Sequence, residues 1–367
     1  MFSTSRRTIA IVGLAGVTAL VAGCTTGTSG GEGTDDPPVT LVFGHVHSES
    51  DPSSRALQQA FDQIEEESGG SITIDVSYDG SLVTNQDSLT AIKSGRADLG
   101  WSVPNYFPAE LPLSNYFSLP FSLASAEEMA VVIDAVTANS DALGDEFRGA
   151  GVEAVAFYPN PPSILSSREP MDGLDAIQGK SMRALGDMAI AIGAAGGNSV
   201  NLPIQEVYQA LDTNLLDGYV GLPMANVPTF SLNEVSSHIY DAGIGTYSTS
   251  VVIANSAKWD SLTEHQQEIV RGAFQDAVAT YLGNNSAIED EVCADLTAAG
   301  VTFDAWSDAD REQWAAIASA PAIANWKQRV EDAGLDADGF LAVVDEAKAG
   351  MNPDDAGLNG VERCAAA

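Results

Sequence analysis

The strongest constraint on this chain is an alternation of two periodicities between residues 39 and 102. "VTLVFGHVH" is rich in β-branched and apolar residues and reads as a strand. "DPSSRALQQAFDQIEEESGG" follows with a helical pattern. Asp51 is placed to cap, Pro52 suits the first turn, Gly69 stops the helix, and Leu57, Ala60, Phe61 and Ile64 form one apolar stripe. "SITIDVSYDG" alternates Ile72, Ile74, Val76 and Tyr78, the period of a strand with one buried face. "NQDSLTAIKSG" reads as a short helix and "ADLGWSV" as a third strand. Strand, helix, strand, helix, strand builds a parallel or mixed sheet covered by helices, so the fold class is α/β.

The rest of the chain repeats that grammar once. Ser125 and Glu128 head the helix "AEEMAVVIDAVTAN". "GVEAVAFYPNPPSILSS" then runs a strand into a Pro-rich segment, which suits a crossing between two lobes. A second α/β unit follows in "KSMRAL", "DMAIAIGAAGG", "NSVNLP" and "IQEVYQALDTNLLDG", with "STSVVIAN" returning as a strand. Thr263 and Gln266 open a helix expected to reach Leu296, long enough to brace both lobes. The expected allocation is 39–160 plus 249–288 for lobe I, and 161–248 plus 289–367 for lobe II; the tail from Gly350 reads as loop.

At 367 residues the chain has room for two real cores. Its 16 Lys and Arg against 51 Asp and Glu leave a formal charge of −35, which excludes a nucleic-acid partner. An anion approaching such a chain is repelled at long range and must be held by short-range contacts. The first residues describe export: Arg6 and Arg7, then an apolar run from Ile9 to Ala22 too short to span a membrane. "LVAGC" resembles a bacterial lipobox, which makes 1–23 a lipoprotein signal and Cys24 the acylated residue; a plain secretory signal is the alternative. "SRRTIA" leaves both the general and the twin-arginine export routes open. Residues 24–38 read as a flexible tether, placing the protein outside the cytoplasm, anchored to the outer face of the cell membrane or in a periplasm. In that oxidising setting Cys293 and Cys364 are expected to pair.

"GKSMRALG" places Arg183 in a short apolar stretch with no acid until Asp187. A guanidinium in that setting needs an anion that the neighbouring sequence does not supply. Its context suggests which. "FDQIEEESGGSITIDVSYDGSLV", "AIKSGRADLG", "SLPFSL", "GLDAIQGKSMRALG", "EVYQALDTNLLDG" and "NSAKWDSLTEHQQEIV" stand in an order that resembles the solute-binding proteins of the tripartite ATP-independent periplasmic (TRAP) transporters, over about Val39 to Gln275. The resemblance implies a two-lobed fold of the type II periplasmic-binding-protein kind, with hinge strands and a long bridging helix. It implies a binding protein and not an enzyme, working without cofactor as a monomer. Its solute would be a small organic carboxylate passed to TRAP membrane permease subunits, with Arg183 at the position of the family's carboxylate-binding arginine. A planar guanidinium meets a carboxylate with two parallel hydrogen bonds. The family often has Glu-Asn where "LDGYVGLP" has Tyr219, Val220 and Gly221, so that polar contact is absent or supplied from elsewhere in the chain. One arginine among less polar neighbours implies a monocarboxylate with an apolar body.

Further candidate contacts come from strand ends, where open α/β sheets bind ligands. They are His45, His47, Trp101, Asn105, Phe157, Tyr158, Tyr208, Tyr219 and Tyr247, each with simple packing as the alternative. His45 and His47 lie two apart on one strand, a spacing that also suits a metal-binding lipoprotein. A lipid-anchored enzyme is the remaining alternative, although no nucleophile elbow, zinc-protease helix or phosphate loop is present.

Overall fold

The computed structural model describes residues 36–351 and 359–366. The signal, Cys24 and most of the tether lie outside the described residues. The last tether residues are tied down: Asp36 Oδ1 accepts from Thr263 Oγ1 at 2.7 Å and Pro37 O accepts from Gln266 Nε2 at 2.9 Å.

Eleven strands form among the described residues: β1 (Val39–Gly44), β2 (Ile72–Ser77), β3 (Leu99–Ser102), β4 (Val152–Pro159), β5 (Ser163–Ser167), β6 (Ser181–Arg183), β7 (Asn198–Val200), β8 (Gly218–Pro223), β9 (His238–Asp241), β10 (Thr249–Asn255) and β11 (Thr302–Ala305). They make two sheets, ordered β2-β1-β3-β10-β4 and β11-β9-β5-β8-β6-β7. In the first, β1, β2 and β3 are parallel and β10 runs antiparallel to both β3 and β4. In the second, β6 is parallel to β7 and β8, while β5 is antiparallel to β8 and β9. The helices are α1 (Pro52–Glu67), α2 (Ser88–Lys93), α3 (Ala126–Asn139), α4 (Ala142–Ala150), α5 (Met188–Ala194), α6 (Ile204–Asp212), α7 (Asn226–Thr229), α8 (Ser256–Asp260), α9 (Glu264–Ala298), α10 (Asp308–Asp332), α11 (Ala337–Ala349) and α12 (Gly360–Ala366).

Local chemistry sets these boundaries. The Asp51 side chain accepts from Ser53 N at the head of α1, whose Leu57, Ala60, Phe61 and Ile64 pack on the first sheet with Phe43. Thr263 and Gln266 form a reciprocal capping box that opens α9. At 35 residues this helix is about 52 Å long. Val270 and Phe274 join the core of the first lobe, and Leu296 joins that of the second. The chain also crosses between sheets from β4 to β5, through the expected Pro-rich segment, and from β9 to β10.

Two expectations for the C-terminal region change. The allocation of everything beyond 289 to lobe II is too coarse, because α10 is shared. Trp314 is buried in the second lobe and donates from Nε1 to Ala191 O at 2.9 Å; Trp326 is buried in the first and donates to Pro112 O at 2.9 Å. α11 then packs on α3 through Phe340 and Val344. The tail expected as loop ends in α12, opened by Asn359 and Glu362, each accepting from the other's backbone N–H. A disulfide between Cys293 and Cys364, with Cα atoms 5.7 Å apart, ties α12 to α9.

Candidate functional site

Arg183 ends β6, an interior strand whose register pairs it with Val200 on β7 and Tyr219 on β8. The side chain is 1% exposed. Its Nε donates to Leu202 O at 3.0 Å and one terminal nitrogen reaches Val220 O at 3.5 Å. Burial pulls its pKa below the usual arginine value, with Tyr106 and Tyr247 acting the other way, but a guanidinium keeps its proton in a protein. Among the described residues no carboxylate pairs with it. Asp187, the nearest acid in the sequence, is engaged elsewhere. Arg329 grips both of its oxygens at 2.9 and 2.5 Å, and Asn325 donates to it at 2.7 Å.

The guanidinium faces a cavity of ≈ 90 Å³ between the two sheets. Its walls are chemically unlike. The first lobe contributes His47, Asp51, Asn85, Trp101, Asn105 and Tyr106, while the second contributes mainly apolar residues, Leu185, Ile204, Leu222 and Met224, with Asn226, around Arg183. Asn160, Ser248 and Ser250 line the crossing, and Tyr281, Asn285 and Glu289 come from α9. Gly221 is required where β8 bulges against β5: its φ is +81°, and a Cβ there would lie 2.6 Å from the Tyr247 ring.

Of the residues singled out in the sequence, Arg183, His47, Trp101 and Asn105 line this cavity together. His45 and Tyr158 sit one layer behind, with ring centroids 5.3 and 5.0 Å from that of Trp101. Burial, then the neighbouring His47, push the His45 pKa down to about 3, so the ring is neutral. Tyr247 backs the second wall and donates to Leu185 O. Three expected contacts lie elsewhere. Phe157 falls on the opposite face of β4 from Tyr158, because side chains alternate, and packs on Phe147. Tyr208 sits outward on α6 and donates to Glu234 at 3.0 Å, and Tyr219 is buried in the second lobe's core. As for a metal, no group of three or more potential ligand side chains assembles among the described residues; His47 instead pairs with Asp51 at 3.4 Å and Ser53 at 3.0 Å.

Several lining residues carried no signal that singled them out. Asp51 reads as a helix cap, a role it keeps; burial opposes its ionisation, but bonds from His47 and Ser53 outweigh that and hold its carboxyl well below the usual range. Tyr106 ends a single 3-10 turn, Pro104–Tyr106, after β3, and Asn85 lies in the loop before α2; only the tertiary fold brings both to the cavity wall.

The model of the bacterial extracellular solute-binding proteins, family 7, matches residues 43–328. The C4-dicarboxylate-binding periplasmic protein DctP of Rhodobacter capsulatus is 25% identical over 228 residues, 61% of this chain and 67% of its own length. A TRAP periplasmic solute-binding protein from Desulfovibrio salexigens, solved with bound orotic acid, superposes with a TM-score of 0.77 at 20% identity, covering 84% of this chain and 98% of that one. Another from Rhodoferax ferrireducens, solved with copurified benzoate, gives 0.75 at 20% identity, covering 85% and 98%. At these identities the structural likeness is one of fold.

Proposed function

Since the chain belongs to family 7 of the bacterial extracellular solute-binding proteins, we propose that it captures a small organic carboxylate on Arg183 and passes it, as a monomer, to the membrane subunits of a TRAP transporter. The observation that carries this reading is a buried guanidinium that faces the cavity and pairs with no carboxylate among the described residues. A charge held out of water is costly unless it is paired, and the acids around it are engaged elsewhere: Asp187 by Arg329, Asp51 by Ser53 and His47, and Glu289 by Arg363. The cavity has room for roughly six to nine waters at about 10–15 Å³ each, which suits a solute of about ten heavy atoms or fewer. Orotate and benzoate, held by the two structural relatives, support that size. Mass spectrometry of the small molecule released from purified protein tests the reading. A carboxylic acid bound one to one is expected, and a ligand without a carboxylate would overturn it.

Cys24 anchors the mature protein by its acylated amino terminus, in this reading. It rests on "LVAGC" and the Gly- and Thr-rich stretch behind it. Cys24→Ser should release the protein from the membrane fraction. If the variant stays bound like the parent, the anchor assignment is wrong.

A further inference from the structure

The first-lobe wall carries polar groups that nothing in the chain answers. Trp101 Nε1, Asn85 Oδ1 and Asn105 Oδ1 are buried without a hydrogen-bond partner among the described residues, and all three side chains line the cavity. Each residue is more than nine-tenths buried. The polar residues of the crossing differ: Asn160 donates to Ser248 Oγ at 2.9 Å and reaches Ser250 Oγ at 3.4 Å. Buried polar atoms in folded proteins are almost always paired, so an unanswered group in a cavity wall specifies what belongs in the cavity.

The polarity of the three atoms narrows the chemistry. An indole N–H only donates, so Trp101 calls for an acceptor. The amide oxygens of Asn85 and Asn105 call for donors, and turning either amide over only exchanges that demand for the opposite one. We infer that the solute carries, at the end away from its carboxylate, a group that both accepts and donates hydrogen bonds: a hydroxyl or a secondary ring amide. This deepens the Arg183 reading and rests on it. It replaces the sequence-based expectation of a monocarboxylate with an apolar body. Such a body would sit well against Leu185, Ile204, Leu222 and Met224, but would leave the opposite wall unsatisfied. The acid therefore faces the second lobe and the polar group faces the first.

Calorimetry on ligand-stripped protein with matched probes tests this. The pairs are 3-hydroxybenzoate against benzoate and pyroglutamate against cyclopentanecarboxylate, each differing at the end that meets the first lobe. The polar member of at least one pair should bind at least about tenfold more tightly, because its partner leaves buried donors and acceptors unmade. Trp101→Phe, which keeps a ring and removes the N–H, should erase most of that preference. Asn105→Ala is the second variant if Trp101→Phe does not fold. Equal binding within both pairs would overturn the polar-end inference and leave the carboxylate reading standing. Arg183→Lys separates the two, since it should weaken both members of a pair by the same factor. A preference that survives while Arg183→Lys changes nothing would overturn the carboxylate reading, and binding of no probe by the parent protein would overturn both.

Discussion

Two arginines placed close to Asp187, one in sequence and one in space, meet burial in opposite ways. Arg329, on α10, has Asp187 in a two-pronged grip and is part of the architecture that fastens α10 to the head of α5. Arg183, four residues before Asp187, meets backbone carbonyls and the hydroxyls of Tyr106 and Tyr247, and no carboxylate among the described residues. The second arrangement depends on the first. Without Arg329 and Asn325, Asp187 would be an unengaged carboxylate four residues from Arg183. In the proposed reading, an anion site therefore needs its own arginine and also something that keeps the nearest acid in the sequence occupied.

Removing the free arginine should have the largest effect. Arg183→Ala is expected to cost about 3–5 kcal/mol of binding to the carboxylate that mass spectrometry identifies, about two to four decades in affinity, while the ligand-stripped protein's melting temperature changes little. Calorimetry and a melting curve read the two halves, and a variant that unfolds with near-normal affinity would make the two arginines alike. Arg329→Met should do the reverse. It strands a nearly buried carboxylate, but Arg329 itself is one-quarter exposed, so about 2 kcal/mol of unfolding free energy is expected, with a smaller loss of affinity. Urea unfolding measures it; an unchanged midpoint would show that the pair contributes nothing.

His45 represents a third way to bury a basic group, by giving up the charge. Its ring takes a proton only near pH 3 when folded, against 6.5 for an ordinary histidine. Between those values the unfolded chain holds the extra proton, so stability falls as pH drops from about 6.5. The contribution is about 1.4 kcal/mol per pH unit, the smallest of the three effects over one unit. His45→Gln should flatten that slope between pH 6 and 5, where carboxylates add little. Parallel curves for parent and variant would mean the ring is protonated in the folded protein.

What was legible in the sequence follows from how far each signal reaches. α1 and α9 announce themselves through caps two and three residues from their partners, and β2 through period two. Arg183 was conspicuous because the near sequence left it without an acid. The grip on Asp187 was not, since Arg329 lies 142 residues away. Tyr158 and Phe157 show the limit of a local signal: both stand at the crossing, and only the side of β4 that meets the cleft decides which one approaches it. The α12 capping pair, Asn359 and Glu362, was present in the sequence but stood behind "GMNPDDAGL", a run of turn-forming residues that reads as loop.

The sharing of α10 has a mechanical consequence. Trp314 and Trp326 pin one rod to both bodies, twelve residues and about 18 Å apart. Widening of the cleft must therefore strain the segment between those pins. Pro321 lies in that segment and lacks the N–H that would brace it against Ile317, so bending meets least resistance there. In the proposed reading the joint would act as a leaf spring, and a solute held between the two walls would be held against that stiffness.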